Sequence, residues 1–221
     1  MKKLFFALVF FVLSDLVSAQ QLFVEIFSGY NKTVFELEKY SSSAHFFPIG
    51  GRLAGGLEHV QLGVEYRQNL SNPEFAFKDN AEPPKAIQID EFDMQYYGAF
   101  LRGNVSEIPA YRFGLILKAG AGYYNHTLIS HNLITDQTTK HTYEKLLGFN
   151  GGIGISSPIY ALLHWEIGYQ FNLVRHPALD GIPAYNAYYH SLQVGLSMNF
   201  VFGNTKKRCR RVLSSSRRGT L

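Results

Sequence analysis

Residues 163–173 alternate without a break. Leu163, Trp165, Ile167, Tyr169, Phe171 and Leu173 take one face, and His164, Glu166, Gly168, Gln170 and Asn172 take the other. A period of two specifies a strand, because successive side chains leave a pleated backbone on opposite sides. The pattern recurs at 60–67, 112–123, 147–156 and 190–202, and more weakly at 22–31, 49–57 and 91–102. That makes eight expected strands. No amphipathic helix is evident between them. The 14 Tyr, 18 Phe and 20 Gly suit such a chain, since aromatics favour strands and glycines relieve crowding where strands pack closely.

The connectors alternate in length. Short ones fall near 58–59, 103–110 and 157–160, and longer ones near 39–47, 70–90, 131–141 and 174–188. Short turns at one end and long loops at the other is the layout of an antiparallel up-and-down transmembrane β-barrel. An even strand count puts both ends of the barrel on the short-turn side. Alternation alone also fits a soluble barrel or sandwich, with the apolar face turned inward. Three features favour the membrane form. The clearer strands have about the 9–11 residues a tilted span needs. Their polar faces are rich in Gly and small residues, which fit a narrow lumen. Aromatics stand near the expected strand ends, at Phe92, Tyr96, Tyr123, Tyr124, Tyr143, Tyr169, Phe171, Phe200 and Phe202, where interfacial girdles belong. The expectation is an all-β, eight-stranded transmembrane barrel over residues 20–202. A soluble lipocalin-like ligand carrier is the alternative.

The segments on either side differ in kind. MKKLFFALVFFVLSDLVSAQ has two lysines, a short apolar run from Leu4 to Leu13, and small residues at Val17 and Ala19. This reads as an export signal over 1–19, cut after Ala19. The run is too short for a membrane helix, which needs about 20 apolar residues. Residues 203–221 carry seven Lys and Arg and no acid, so they account for the basic pI. Residues 20–202 hold 12 bases and 16 acids, a mildly acidic body with no basic surface for nucleic acid. The basic tail is expected to be disordered. The only cysteine, Cys209, lies in it, so no internal disulfide is possible.

The signal, the eight strands and the segments FSGYNKTVFELEKY and GGRLAGGLEHVQLGVEYRQNLSNPEF together resemble the outer membrane protein beta-barrel domain family common in Bacteroidetes. That family includes PorT-like proteins, and the resemblance extends to small OmpA/OmpX-like barrels. It implies a place in the outer membrane of a Gram-negative cell. The last strand, HSLQVGLSMNFVF, also resembles the C-terminal targeting signal of such barrels. Gln193, Gly195, Met198 and Phe200 match its spacing, and Phe202 closes it. By that resemblance the barrel assembly machinery docks here. The chain departs from the family pattern by 19 residues after Phe202.

Chemistry is sparse. No His-x-Ser pair of the kind that builds an outer-membrane lipid hydrolase occurs at any of the eight histidines. Ser43 and His45 have the spacing reversed, in an expected loop. His190 and Ser191 are adjacent and so face opposite ways. His164 and Glu166 share the interior face, where a hydrogen bond is the simplest role. Asn125, His126, Ser130, His131 and His141 gather at an expected loop mouth, with spacings that match no metal site. No enzyme, cofactor or metal is expected, and a barrel-borne lipid hydrolase, at His126 or His164, is the enzyme alternative. Glu25, Arg52, Glu65, Arg67, Arg112, Lys118, His164 and Glu166 are expected inside the barrel. Buried charges persist only in pairs, so they should form a polar plug. A narrow channel is the alternative if the plug has gaps. Phe75 and Phe77 in the 70–90 loop, and Tyr185 and Tyr188 in the 174–188 loop, are candidates for contact with an extracellular protein or glycan. The expected partners are otherwise outer-membrane lipid and the assembly machinery, and a monomer is expected.

Overall fold

The computed structural model describes residues 21–37, 40–57, 59–70, 75–79, 87–108, 113–132, 134–160, 162–178 and 184–201. The expected export signal, the basic tail, Arg112 and Phe202 lie outside these residues. The strands are β1 Gln21–Leu37, β2 Tyr40–Phe46, β3 Pro48–Gly56, β4 Val60–Asn69, β5 Phe75–Asp79, β6 Ile87–Ile108, β7 Phe113–Asn132, β8 Gln137–Tyr160, β9 Leu163–His176 and β10 Tyr185–Val201. Eight of them form a closed antiparallel ring in the order β1-β3-β4-β6-β7-β8-β9-β10, and β10 pairs back to β1 from Gln21↔Val201 to Glu36↔Asn186. Over the belt each of the eight strands is paired on both sides, as a wall facing lipid requires.

Two segments are additional to the eight expected strands. β2 continues β3 along the same partner, β1, after a break at Phe47. β5 pairs with both β2 and β6, and takes the place of β4 beyond Asn69. Much of what was expected as loop is therefore wall. β6, β7 and β8 run for 22, 20 and 24 residues. A tilted span needs about 9–11, so about half of each strand stands outside the apolar belt. That extension rises at the end opposite Gln21 and Val201.

The belt itself is marked by exposed apolar side chains. They include Val24 and Ile26 on β1, Val64 on β4, Leu101 on β6, Leu117 on β7, Ile153 and Ile155 on β8, Ile167 on β9, and Val194 and Leu196 on β10. Within the belt the inward face is mostly polar, with Phe23, Phe27, Phe100 and Ile116 set among its charged groups. Above it the polarity reverses, because a wall that faces water must bury apolar groups inside. There Phe35, Phe46, Phe92, Met94, Leu128, Tyr143, Tyr185 and Tyr189 point inward and form one packed cluster.

β8 changes phase where it leaves the belt. Tyr143 and Leu146 are both buried, while Glu144 and Lys145 between them are both exposed. The extra residue is a bulge: pairing with β7 slips between Tyr124 and His126, and Lys145 takes a positive φ of 57°. The Lys145 N–H is held by Asn125 Oδ1 at 2.9 Å. The β7–β8 hairpin above is closed by Asn132, whose Oδ1 accepts from the N–H groups of Ile134 and Thr135 at 3.0 and 3.3 Å.

The girdle expectation needs correction. Tyr123, Tyr169 and Phe171 do face outward, but Phe92, Tyr96, Tyr124 and Tyr143 are buried in the lumen. Aromatic residues near the end of a span can serve either face, and only register decides which.

Candidate functional site in the lumen

The lower lumen is built around Arg52 of β3. Its Nε donates to Glu65 Oε2 at 2.8 Å, its Nη1 to Glu25 Oε2 at 2.9 Å, and its Nη2 to Gln170 Oε1 at 3.0 Å and to Gln193 Oε1. The flat guanidinium lies 3.9 Å from the centre of the Phe27 ring. One cation thus ties together β1, β3, β4, β9 and β10. This is the planar fork that arginine offers and lysine does not. Below it, Lys118 of β7 pairs with Glu166 and stands 3.6 Å from Glu25. Arg102 of β6 reaches Glu166 Oε2 at 3.3 Å and Gln61 Oε1 at 3.1 Å, and stacks 4.3 Å over Phe23. Above Arg52, Arg67 donates to Asn172 Oδ1 at 3.0 Å and Tyr124 Oη at 3.2 Å, and stands 3.8 Å from Glu65 Oε1.

Among the described residues, four cations and three carboxylates fill this section. A void of about 10 Å³ beside Lys118, Glu166, Gln170 and Gln193 holds roughly one water.

Glycines make the room. A Cβ on Gly98 would sit 2.3 Å from Tyr96 Oη and 2.6 Å from the Ala121 carbonyl, and one on Gly122 would sit 2.5 Å from the Gly98 Cα. The two are cross-strand partners that let the Tyr96 ring lie flat beneath the wall. The Tyr96 hydroxyl then accepts from Asn150 Nδ2 at 2.7 Å. Gly98→Ala should cost roughly 1–3 kcal/mol, the usual range for overpacking, read as a lower midpoint in denaturant.

Over the ionic section lies an aromatic one. His126 of β7 and His176 of β9 meet at 2.6 Å between Nδ1 and Nε2, with both rings wholly buried. Tyr189 holds the far nitrogen of His126 at 3.1 Å, and Tyr185 stacks on His176 at 4.2 Å. Both histidines stand above the last outward belt residues of their strands, Tyr123 and Leu173. Burial, then the neighbouring His176, holds His126 well below the ordinary histidine range, and burial pushes His176 down to about 3. Further out, Ser130 Oγ stands 3.1 Å from His141 Nε2. Both are buried, and Ser130 also donates to the Thr139 carbonyl at 3.3 Å. A nucleophile–base pair needs access to substrate, and this one is packed inside the wall.

The sequence candidates thus distribute as follows. Glu25, Arg52, Glu65, Arg67, Lys118 and Glu166 converge in one network. His164 is half-buried at the lower end of β9, opposite Ser197 and Pro158. Gln193 binds Arg52 through its side chain, and Gly195 leaves space that a Cβ would take from Glu25, at 2.5 Å from its Oε1. Met198 faces outward and Phe200 is half-buried. Phe75 and Phe77 lie on β5 opposite Ile89 and Ile87, with side chains outside the described residues. Tyr185 is no loop residue: it is buried against His176, so it offers no contact surface. Tyr188 is half-buried on the outer face, stacked on Phe171.

Sequence reasoning missed Arg102 and the His126–His176 pair. Arg102 lies opposite Gln61 in the register, and that pairing would have placed it inside.

These features define an eight-stranded antiparallel transmembrane β-barrel. No protein-family model matches the chain, and no curated protein matches it. Solved structures do. Neisserial surface protein A (NspA) superposes with a TM-score of 0.54 at 14% identity, over 81% of this chain and 97% of that one. The outer membrane protein OprG from Pseudomonas aeruginosa gives 0.48 at 9%, over 83% and 97%. Ail, the attachment invasion locus protein of Yersinia pestis, solved with the heparin analogue sucrose octasulfate, gives 0.44 at 13%, over 80% and 99%. At these identities the likeness to NspA is one of fold.

Proposed function

We propose that the chain is a small outer-membrane β-barrel with a structural or binding role, exercised through the wall and loops that stand beyond the lipid. The observation that carries this reading is the side-chain-filled section of lumen, among the described residues, beneath an extension with a packed interior. An ionic section and an aromatic section lie one above the other, so among the described residues the bore is taken up by the protein's own side chains. The extension, by contrast, is braced from inside and presents a polar outer surface, as a binding platform should. The export signal and the fold shared with NspA support an outer-membrane location. The Bacteroidetes-type, PorT-like affinity rests on the sequence resemblance, as does recognition of β10 by the barrel assembly machinery. The protein works as a monomer and without enzymatic activity, cofactor or metal, and its binding partner is an extracellular protein or glycan.

Two measurements test this. The detergent-extracted protein should migrate differently on gels before and after boiling, because a fully paired barrel resists detergent until heated. In planar bilayers it should give no steady conductance. A protein that stays in the soluble fraction without a mobility shift would make the apolar belt a core and revive the ligand-carrier alternative. A stable unit conductance would instead make it a narrow channel.

A further inference from the structure

The outer face of the barrel carries a basic row that the lumen does not explain. Rows of paired residues run obliquely up a tilted wall. One such row can be followed through the register from Ala119 to Gly151, then to Phe171, His190, Lys32 and His45. Its lower members are small or apolar, as lipid demands. At His190 it turns basic, and it stays basic over three neighbouring strands, β10, β1 and β2. The change marks the level where the wall leaves the belt.

The two histidines are held alike. Tyr169, in the belt, meets His190 Nδ1 at 2.6 Å, and Tyr30, also in the belt, meets His45 Nδ1 at 2.5 Å. His45 stacks on Tyr30 with centroids 5.6 Å apart, and Phe171 packs edge-on against His190 at 5.3 Å. A phenol that donates to Nδ1 leaves the imidazole proton on Nε2. Each histidine then presents an N–H donor away from its tyrosine. Between them stands the exposed Lys32, cross-strand partner of both. With strands about 4.8 Å apart, three donors span roughly 10 Å at the lipid–water boundary. Among the described side chains, no carboxylate shares this row or the rows on either side of it.

We propose that His190, Lys32 and His45 form a binding site for the phosphate groups of an anionic lipid in the outer leaflet. Tyr169, Tyr30 and Phe171 seat its acylated part, and the three donors above take the headgroup. Charge complementarity selects a phosphate, and the position at the belt's upper edge selects a lipid over a soluble anion. The site rests on the reading that the barrel spans a membrane.

The test uses the full barrel purified in neutral detergent, with bisphosphorylated lipid A as probe and native mass spectrometry as readout. Lipid A should remain bound, and its dephosphorylated form should be lost at least tenfold more readily. The triple variant Lys32→Gln, His45→Gln, His190→Gln should lose the same preference while keeping the shift in gel mobility on boiling. Should the triple variant fail to show that shift, Lys32→Glu alone serves, with the same loss expected. Equal retention of both lipid forms, or unchanged preference in a folded variant, would overturn the site. Displacement of lipid A by millimolar inorganic phosphate would overturn its assignment to a lipid. A wild-type protein with no mobility shift on boiling would instead remove the membrane reading beneath it.

Discussion

Arg52→Met should destabilise the barrel by about 3–5 kcal/mol, the usual result of removing one partner from a buried ion pair. The side chain keeps its apolar stem but abandons Glu25 and Glu65, both buried in the lumen. It also frees Gln170 and Gln193. Unfolding in urea, followed by the mobility shift, measures the loss. Arg52→Lys should cost less, since the charge remains and only the fork is lost. Adding Glu25→Gln and Glu65→Gln to Arg52→Met should recover part of the stability, because neutral amides are cheaper to leave in a bore. A cost below about 1 kcal/mol for Arg52→Met, the range of an exposed pair, would mean that water reaches the network and that the lumen is open.

The second large effect is on acidification. His126 and His176 are neutral in the folded barrel, and burial keeps them so, with His176 at about 3. An exposed histidine takes up its proton near 6.5. The unfolded or opened chain therefore binds more protons than the folded one below that value, and stability falls as pH falls. The contribution is complete above pH 6.5 and is lost progressively towards pH 3. At pH 5 His176 costs roughly 2 kcal/mol, and His126 acts in the same direction. The groups that face the pair are Tyr124, Tyr143, Tyr185 and Tyr189, with no carboxylate among the described residues to receive a histidinium. Hydrogen exchange should show the extension opening at pH 5 while the belt stays protected. His126→Phe with His176→Phe should flatten the dependence. Exchange in the extension that is unchanged between pH 7 and pH 5 would rule out this coupling.

The two effects separate because the lumen is built in two materials. In the belt the wall must turn its apolar face to lipid, and the polar groups left inside must find one another. Above the belt the wall faces water on the outside, and the inside becomes an ordinary apolar core. His126 and His176 sit in that core, one bulge above the level where β8 changes phase. Their neighbours are rings, so only neutral imidazoles fit.

The alternation in 163–173 and 190–202 was enough to place Glu166, Gln170 and Gln193 on the inward face. A period of two is a local property, and a closed wall preserves it along every strand. Charge made the network legible too, because Glu25, Arg52, Glu65, Arg67 and Lys118 each stand on a polar face whose only remedy is a partner. Arg102 escaped because both faces of its strand carry apolar residues, Phe100 inward beside Leu101 outward, so polarity did not mark the inner face. The loops escaped for a different reason. Above the belt the rule for which face is apolar reverses, and a bulge at Glu144 and Lys145 shifts the phase, so the pattern of β8 breaks where the strand itself continues. The eight ring strands, most of their faces within the belt and the class of barrel were thus written in the sequence, while β2, β5 and the inward turn of Phe92, Tyr96, Tyr124 and Tyr143 were not. Which lumen residues meet was decided by tertiary structure, as with His126 and His176, 50 positions apart. So was the convergence of His190, Lys32 and His45 on one outer row. Such meetings depend on ring closure and register, which bring together strands far apart in the chain and leave no local trace in it.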